Sequence, residues 1–315
     1  MGGIKIKGTG FCVPKRVMTN KEFLDIIDTD EEWIVSRTGI EHRHYVDNEK
    51  LSDLCKNACC TALERAGVAP EEIGVCIVGT HTADNLVPSA ACELQRDLQL
   101  PHECICFDLS SACTGFLYAL HTTECLLARS PKRYGLVVGA EALSRLLNWE
   151  DRSTCILFGD GAGAVVVEFD ESYNSIHAVL GCSGSDKILH VRGVGPGKKS
   201  VIYMNGQPVF KFALKASLYC TREVLERTGT KVEDIDFFVF HQANARIIDL
   251  IVKKYHIPPE KYYKNIAEYG NTAAASIPIV IGELWEKKKI SSHSRILCIG
   301  FGGGLTWGGA LLELS

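Results

Sequence analysis

Short apolar runs and longer amphipathic stretches follow one another along this chain of 315 residues. An apolar run without polar interruptions indicates a strand that is covered on both faces. The amphipathic stretch 51–66 ends at a glycine, and a proline follows soon after it, which is typical of a helix. The pattern therefore predicts an α/β protein. The strands that it predicts lie at residues 4–13, 75–78, 104–107, 136–139, 164–167, 237–240 and 297–300.

The same order of helix and strand occurs twice in the chain. Residues 63–78 contain the end of a helix and a strand, and residues 225–240 repeat this stretch 162 positions later. The strand 136–139 resembles 297–300 at a shift of 161 positions. Two matches at nearly the same shift indicate an internal duplication of two α/β halves.

The join between the two halves falls after the strand 164–167. We therefore expect an N-terminal half over residues 1–170 and a C-terminal half over residues 171–315. Residues 181–197 are rich in glycine and serine and predict a long loop. Loops of this length usually carry a function or move.

Composition and charge narrow the class of protein. The 46% of hydrophobic and 23% of charged residues are typical of a soluble globular protein. A net charge of −4 argues against a general nucleic-acid binder, and no apolar run approaches the ~18 residues of a membrane helix. The 14 cysteines lack the spacing of a zinc site, and the first residues do not resemble a secretory signal. We expect free thiols in the cytoplasm, with no metal site.

Cys113 stands where a predicted strand passes into a predicted helix, among small residues that let other groups approach. The strand 104–107 precedes it, and the helix begins near Phe116. A thiol at a helix N-terminus lies at the positive end of the helix dipole, which lowers its pKa. A buried packing cysteine is the alternative interpretation. We expect a nucleophilic thiolate that the helix N-terminus largely creates.

Three stretches of the second half carry further candidate residues. His241 follows a predicted strand, at the end where open α/β sheets place their chemistry, although a lone histidine is often structural. Asn271 precedes small residues that open a helix, and the shift of 162 sets Cys113 opposite Ala275, just behind it. Glycines in 300–308 allow tight turns and leave N–H groups free to face a ligand. No βαβ unit follows them, so they are not a dinucleotide fingerprint.

Taken together, these stretches resemble the β-ketoacyl-acyl-carrier-protein synthase III family, and the resemblance covers nearly the whole chain. That family has the thiolase fold, a duplicated five-layer αβαβα arrangement, which agrees with the repeat described above. The stretches that carry the resemblance are residues 33–40, 108–116, 158–164, 241–244, 271–278 and 300–308.

The resemblance implies a homodimeric condensing enzyme that starts fatty-acid synthesis. It implies a triad of Cys113, His241 and Asn271, in which the cysteine takes an acyl group from acyl-CoA. Malonyl on the acyl carrier protein then loses CO2, and the carbanion attacks the acyl-cysteine. Backbone N–H groups of Cys113 and Gly303 suit an oxyanion hole, while His241 and Asn271 suit donors to the enolate oxygen. Neither role requires a metal or a redox cofactor.

The resemblance also implies which residues contact CoA. Trp33 and Arg152 resemble the pair that sandwiches the adenine, whereas without the motif they would be a core aromatic and a solvated charge. The chain departs from the family pattern at Gln207, where the family has an asparagine. Other positions associated with the CoA tunnel are Thr29, Arg37 and Asn244.

Two further features concern partners and substrates. A local basic excess includes Lys215 and the family's carrier-protein docking positions. Steering of an acidic carrier protein explains this excess better than a solvated helix face does. Val87 stands where relatives often carry phenylalanine in the acyl pocket, so we expect starters longer or more branched than acetyl. The docking positions are Lys211, Arg246, Lys253 and Lys254.

The sequence leaves two other functions open. A relative on the same fold could make a specialised metabolite or transfer acyl groups without decarboxylation. A catalytically silent CoA-binding scaffold belongs to a different class, and the intact triad argues against it. No catalytic glutamate of the hydroxymethylglutaryl-CoA synthase type stands beside Cys113, and Asn271 takes the place of the second histidine of elongating ketoacyl synthases.

Overall fold

Strands and helices alternate along the chain, and the computed structural model describes residues 2–193 and 200–315. The strands are β1 (Gly3–Cys12), β2 (Arg16–Thr19), β3 (His42–Tyr45), β4 (Ile73–Gly79), β5 (Ile105–Leu109), β6 (Tyr134–Glu141), β7 (Gly161–Asp170), β8 (Val179–Ser185), β9 (Leu189–Val191), β10 (Ile202–Met204), β11 (Phe237–Phe240), β12 (Arg295–Gly302) and β13 (Gly304–Glu313). The α-helices are α1 (Glu31–Thr38), α2 (Leu51–Ala66), α3 (Ala90–Asp97), α4 (Gly115–Leu127), α5 (Arg152–Cys155), α6 (Gly206–Thr228), α7 (Ala245–Tyr255), α8 (Ile266–Tyr269) and α9 (Ser276–Glu286).

Two sheets with the same strand order form the centre of the molecule. The first has the order β1-β7-β6-β4-β5, in which β4 is parallel to β5 and β6, and β7 is antiparallel to β1 and β6. The second has the order β8-β13-β12-β11, in which β11 is parallel to β12, and β13 is antiparallel to β12 and β8. Strands β1, β7, β6 and β4 thus correspond to β8, β13, β12 and β11 in order and direction. This topology confirms the predicted duplication.

Helices cover both faces of both sheets, which makes five layers. Helices α2 and α3 pack on the outer face of the first sheet, where Leu54 lies in the same apolar cluster as Val78. Helices α4 and α9 lie between the sheets, and Phe116 joins Ile77 of the first sheet and Cys298 of the second in one core. Helices α6 and α7 cover the outer face of the second sheet. The αβαβα arrangement implied by the resemblance is confirmed.

The amphipathic pattern also predicted element boundaries. Helix α2 spans Leu51–Ala66 and ends at Gly67, whose φ of +61° is the left-handed conformation that glycine adopts at helix ends. Strands β4 and β5 follow the predicted apolar runs. Every residue of β4 is buried, as a run without polar interruptions requires. The residues of β5 are only partly buried and Ile105 is exposed, so the predicted burial of β5 is wrong because this strand lies at the sheet edge.

The predicted loop over 181–197 is wrong in its first part, and residues 194–197 lie outside the described residues. Strands β8 and β9 occupy residues 181–185 and 189–191 of this stretch, and β8 pairs with β13. A Cβ at Gly181 would come within 2.6 Å of the Trp307 ring, so glycine permits close packing here rather than marking a turn.

Two searches of the described residues bear on the class of protein. No helix within 2–193 and 200–315 combines the length and apolar character needed to cross a membrane. Across these same ranges, no group of three or more His, Cys, Asp or Glu side chains is arranged to hold a metal ion.

Candidate active site

Cys113 lies at a strand-to-helix junction, in a turn that the duplication repeats in the second half. It follows β5 in a 3-10 turn, Ala112–Thr114, that passes directly into α4. Ala112 has a φ of +45°, a left-handed conformation that alanine rarely adopts. In the second half, Ala273 has a φ of +44° in the corresponding turn before α9. The first turn carries the thiol, and the second lies directly behind Asn271.

The thiol of Cys113 is only partly exposed, and its environment disfavours the thiolate. Burial raises the pKa of Cys113 to about 12, and the negative charge of Glu141 adds to the shift. The predicted lowering of this pKa is therefore wrong. A helix N-terminus contributes at most ~2 kcal/mol, whereas desolvation can shift the pKa of a buried group by ~3–5 units. At neutral pH Cys113 is a neutral thiol that needs a base.

His241 follows β11 directly, and it is 2% exposed. Burial lowers the pKa of its imidazole to about 3, so the ring is neutral at neutral pH. Nδ1 lies 2.7 Å from Oγ of Ser276, the first residue of α9. This contact fixes the ring and leaves Nε2 for chemistry. Sequence reasoning missed Ser276, although its place at the helix start behind Asn271 was an available signal.

The backbone orients the carboxamide of Asn271, which is 6% exposed. Its Oδ1 accepts a hydrogen bond from the N–H of Ala273 at 2.9 Å. Its own N–H donates to Leu157, and its carbonyl accepts from Gly159. Because the side-chain oxygen is already engaged, the Nδ2 donors remain available to a ligand.

Two cavities meet at Cys113. The smaller, of about 140 Å³, is lined by Cys113, His241 and Asn271 together. The larger, of about 530 Å³, has apolar walls that include Leu143 and Phe158. The structure thus brings the three predicted catalytic side chains, which come from distant parts of the chain, to one cavity.

The glycine-rich turn between β12 and β13 lies against the nucleophile. A Cβ at Gly302 would come within 2.8 Å of the backbone nitrogen of Cys113, so glycine is required there by close approach. Gly303 lines the larger cavity together with Cys113, and an oxyanion hole formed by their N–H groups stays a prediction. A hydrogen bond of 2.9 Å from Thr114 to Thr306 ties the turn to the start of α4. Thr306 is a second positioning residue that sequence reasoning did not find.

The residues predicted to contact CoA lie close together on the surface. The Arg152 guanidinium is 4.4 Å from the centre of the Trp33 ring and donates to the carbonyl of Asp28, the neighbour of Thr29. This direct contact leaves no room for a base between the two side chains, so Arg152 must move if they are to sandwich an adenine.

The other CoA positions lie nearer the smaller cavity. Asn244 lines that cavity, and its Nδ2 donates to the carbonyl of Arg37 at 3.0 Å. Its Oδ1 accepts from the N–H of Arg246 and so caps α7. Gln207 is exposed on the first turn of α6 and does not line the cavity among the residues that the structure describes.

Val87 does not lie in the pocket beside Cys113 of its own chain, where the acyl-pocket prediction would place it. It is 87% exposed, and the described lining of neither cavity at Cys113 includes it. Val87 can therefore shape an acyl pocket only from a second copy of the chain.

A surface that we call the basic patch flanks the smaller cavity on α6 and α7. The guanidinium of Arg246 lies 5.6 Å from the ring centre of Phe210, which itself lines the cavity. The nearby Asp249 pairs with Lys264 at 2.8 Å, which removes part of the opposing charge. The basic patch consists of the exposed Lys211, Lys215, Arg246, Lys253 and Lys254.

A duplicated thiolase-like fold, with a thiol, an imidazole and a carboxamide on one cavity, defines an acyltransferase of the condensing-enzyme class. Residues 107–184 match the family model of 3-oxoacyl-[acyl-carrier-protein (ACP)] synthase III, and residues 225–314 match that of its C-terminal part. The chain is 42% identical to a beta-ketoacyl-[acyl-carrier-protein] synthase III of Clostridium acetobutylicum over 99% of each chain. The chain belongs to the 3-oxoacyl-[acyl-carrier-protein] synthase III family.

Solved structures give the same result. The crystal structure of 3-oxoacyl-[acyl-carrier-protein] synthase III from Aquifex aeolicus superimposes with a TM-score of 0.93 at 42% identity, covering 99% of this chain and 100% of that one. The priming β-ketosynthase from the R1128 polyketide biosynthetic pathway superimposes with a TM-score of 0.94 at 34% identity, covering 99% and 96%.

Proposed function

We propose that this protein condenses an acyl-CoA with malonyl-acyl carrier protein, releases CO2 and CoA, and so initiates fatty-acid synthesis with a 3-oxoacyl-acyl carrier protein. The observation that carries the proposal is the cavity that Cys113, His241 and Asn271 line together. The names of the relatives support the carrier protein as partner, and no metal or redox cofactor takes part in the proposed steps.

The first half-reaction moves the acyl group to Cys113. As the sulfur attacks the thioester carbonyl, the thiol proton passes to Nε2 of the neutral His241. Negative charge develops on the carbonyl oxygen, where the N–H groups of Cys113 and Gly303 stabilise it. The bond between the carbonyl carbon and CoA sulfur then breaks, and the CoA thiolate takes the proton from His241.

The second half-reaction uses malonyl-acyl carrier protein. Its bond to the carboxylate breaks, CO2 leaves, and the electron pair stays on the α-carbon as an enolate. Asn271 Nδ2 and His241 Nε2 donate hydrogen bonds to the enolate oxygen. The α-carbon then attacks the acyl-cysteine, the carbon–sulfur bond to Cys113 breaks, and the thiolate recovers a proton that comes from solvent.

Ser276 suits both half-reactions. His241 Nε2 must accept a proton in the first and donate a hydrogen bond in the second, so the neutral ring needs both tautomers. A hydroxyl both donates and accepts. The Ser276 hydroxyl, 2.7 Å from Nδ1, can therefore pair with either tautomer without moving.

A two-stage experiment tests the function. The purified protein is incubated with acetyl-CoA or butyryl-CoA, and the acylated residue is identified by peptide mass spectrometry. Malonyl-acyl carrier protein is then added, and the carrier-bound product and CO2 are measured. We expect an acyl group on Cys113 and a 3-oxoacyl product. Stable acylation without any 3-oxoacyl product would instead assign a transferase that does not decarboxylate.

Two exposed apolar surfaces favour the pairing of two copies of the chain. Strand β5 is at the edge of the first sheet, and Ile105 on it is 44% exposed. An edge strand with an exposed apolar side chain favours pairing with a second chain. Leu86 and Val87 form a second exposed apolar site. We therefore infer a homodimer that buries these surfaces.

The cellular location and the division of the chain are part of the same proposal. All 14 cysteines are free, which suits a reducing compartment, and we place the protein in the cytoplasm. We also retain the halves 1–170 and 171–315, since β7 ends at Asp170 and β8 begins at Val179.

A specialised pathway is the second candidate function. The similarity to the priming β-ketosynthase of a polyketide pathway, with 34% identity over nearly the full chain, favours it. The two functions share the condensation and differ in the carrier protein that they serve. Turnover with the carrier protein of fatty-acid synthesis at least as fast as with any other carrier protein of the same cell would favour initiation of fatty-acid synthesis.

A further inference from the structure

Three neighbouring parallel strands of the first sheet, β5, β4 and β6, end at the same edge. Cys113 follows β5, His81 follows β4, and Glu141 is the last residue of β6. Of these three residues, only Cys113 takes part in the proposed half-reactions. His81 lines the larger cavity together with Cys113, so a titratable side chain that the proposed half-reactions leave unused borders this space.

His81 and Glu141 form an ion pair at the wall of this cavity, with 2.6 Å between Nδ1 and Oε1. Glu141 is fully buried, and its Oε2 accepts a hydrogen bond from the Thr82 hydroxyl at 2.5 Å. Burial alone would lower the pKa of His81, but the charge of Glu141 and its hydrogen bond outweigh burial and raise it. A buried carboxylate 2.6 Å from Nδ1 favours the protonated ring, in which both nitrogens act as donors.

The second nitrogen of this ring is left for a ligand. Nδ1 faces Glu141, so Nε2 lies on the other side of the ring, at the cavity. The wall around it includes the apolar side chains of Leu143, Phe158 and Leu189. A donor thus stands in a largely apolar wall.

Such a donor discriminates between acyl chains. A purely aliphatic chain would cover Nε2–H and leave it without water or any other acceptor, which disfavours binding by roughly tenfold or more. An acyl chain with an oxygen opposite Nε2 would accept the hydrogen bond. Because Glu141 already balances the imidazolium charge, and Asp186 adds a negative charge to the lining, a neutral oxygen fits better than a carboxylate.

We propose that His81, held by Glu141, is a specificity-determining residue that selects starter acyl groups with a hydroxyl or keto oxygen beyond the thioester carbonyl. This inference rests on the proposed function, because it requires an acyl group on Cys113. It names the chemical class of starter that this chain prefers.

Single-turnover acylation of Cys113 tests the inference with matched substrates. Butyryl-CoA, 3-hydroxybutyryl-CoA and succinyl-CoA have four-carbon acyl chains and differ in the oxygen that they carry. The rate of acylation of Cys113 is followed by intact-protein mass spectrometry. We expect the native protein to accept 3-hydroxybutyryl-CoA about tenfold faster than butyryl-CoA. His81→Leu should bring this ratio close to one, and His81→Gln, which keeps an N–H donor, should preserve part of it.

Three controls keep the result interpretable. His81→Leu leaves Glu141 without its partner, so the double variant His81→Leu/Glu141→Gln removes both charges in case the single variant does not fold. His102→Leu makes the same substitution at an exposed histidine outside the cavity lining and should keep the native ratio. Circular dichroism confirms that each variant is folded.

The outcomes separate the two proposals. An unchanged ratio in His81→Leu or in the double variant would overturn the role of His81. If His81→Leu lowered the acylation rate more with succinyl-CoA than with 3-hydroxybutyryl-CoA, the preferred oxygen would be that of a carboxylate and not a neutral one. If no acyl-CoA modified Cys113 in the native protein, the proposed function would fail, and this inference would fail with it.

Discussion

Burial moves the two titratable residues of the site in opposite directions. It raises the pKa of Cys113 to about 12 and lowers the pKa of His241 to about 3. Both shifts follow from the same cause, because a low-dielectric site disfavours the charged form of either group. The resting pair is therefore a neutral thiol and a neutral imidazole, and charge forms only as the proton moves.

The raised thiol pKa makes the reactivity of Cys113 depend on pH. Only the thiolate reacts with an alkylating reagent, and below a pKa of about 12 its fraction grows with pH. We expect alkylation by iodoacetamide to accelerate about tenfold per pH unit between pH 7 and pH 9, without a plateau. Peptide mass spectrometry of Cys113 measures the rate, and the exposed Cys60 serves as an internal reference. A plateau below pH 8 would show that the helix N-terminus does ionise the thiol.

The same pKa assigns His241 a role in acylation. Since the helix does not supply the thiolate, Cys113 needs Nε2 of His241 as its base. We expect His241→Ala to slow acylation of Cys113 by acyl-CoA by about 100-fold or more. Stopped-flow release of CoA measures this step. Ser276→Ala should have a smaller effect, because it frees the ring without removing it. Acylation at the native rate in His241→Ala would contradict the base role.

Removal of the nucleophile should separate the two half-reactions. Cys113→Ala cannot form the acyl-enzyme, so condensation should stop. His241 and Asn271 still line the cavity and can stabilise the enolate, so the variant should continue to release CO2 slowly from malonyl-acyl carrier protein. The release of CO2 and the mass of the acyl carrier protein with its bound acyl group are measured. If Cys113→Ala/Asn271→Ala released CO2 as fast as Cys113→Ala, the role of Asn271 would be excluded.

At the scale of elements, the site is made by the ends of strands and the starts of helices. Strands β4, β5 and β6 end at one edge, while α4 and α9 begin between the sheets. Glycines allow these elements to approach. A Cβ at Gly79 would come within 2.6 Å of the carbonyl carbon of Gly115, the first residue of α4. The strand end therefore accommodates the helix that carries the nucleophile only because a side chain is absent.

The helices α6 and α7 carry the basic patch beside the smaller cavity, and the patch should matter only for the carrier protein. We expect Arg246→Glu to slow condensation with malonyl-acyl carrier protein while acyl transfer from CoA to Cys113 continues. Raising the salt concentration should weaken the native reaction in the same way, because the Debye length falls from ~10 Å at 0.1 M. Dependence of the condensation rate on carrier concentration is the measurement.

A matched variant makes this prediction sharper. Lys56→Glu changes the charge by the same amount on α2, in the outer layer of the first sheet. It should leave both half-reactions at native rates. Equal losses in Arg246→Glu and Lys56→Glu would mean that net charge, rather than the basic patch, governs the encounter.

At the scale of the whole molecule, one core holds the two halves together, and an exposed loop points away from it. Ile77 of the first sheet and Cys298 of the second belong to the same buried cluster. Val87, in contrast, is 87% exposed, and β5 has a free edge. In the homodimer that we propose, these features would let the loop of one copy complete the acyl pocket of the other.

A mixed dimer tests this arrangement. One chain keeps Cys113, and its partner carries Cys113→Ala together with Val87→Phe. If the loop of the partner enters the acyl pocket, the larger ring should reduce acylation by longer and branched acyl-CoA by about tenfold relative to acetyl-CoA. Placing Val87→Phe on the active chain instead is the control and should leave the range of starters unchanged. The opposite pattern would place Val87 in the pocket of its own chain.

The sequence by itself determined the main strands and helices, the duplication and the three residues that we propose as the triad. Apolar runs mark strands covered on both faces, and the shift of 162 positions reappears as two sheets of matching order. Cys113, His241 and Asn271 could be named because each lies in a stretch that resembles the synthase III family. These features are local, so they can be recognised from the order of the residues alone.

Tertiary structure alone decided the electrostatics and the contacts between distant segments. The thiol pKa depends on burial and on Glu141, which no local pattern around Cys113 reveals. The contacts of His241 with Ser276 and of His81 with Glu141 join residues 35 and 60 positions apart. The exposure of Val87 likewise depends on how its loop packs. Desolvation and pairing are set by neighbours in space, so they became known only once the chain was folded.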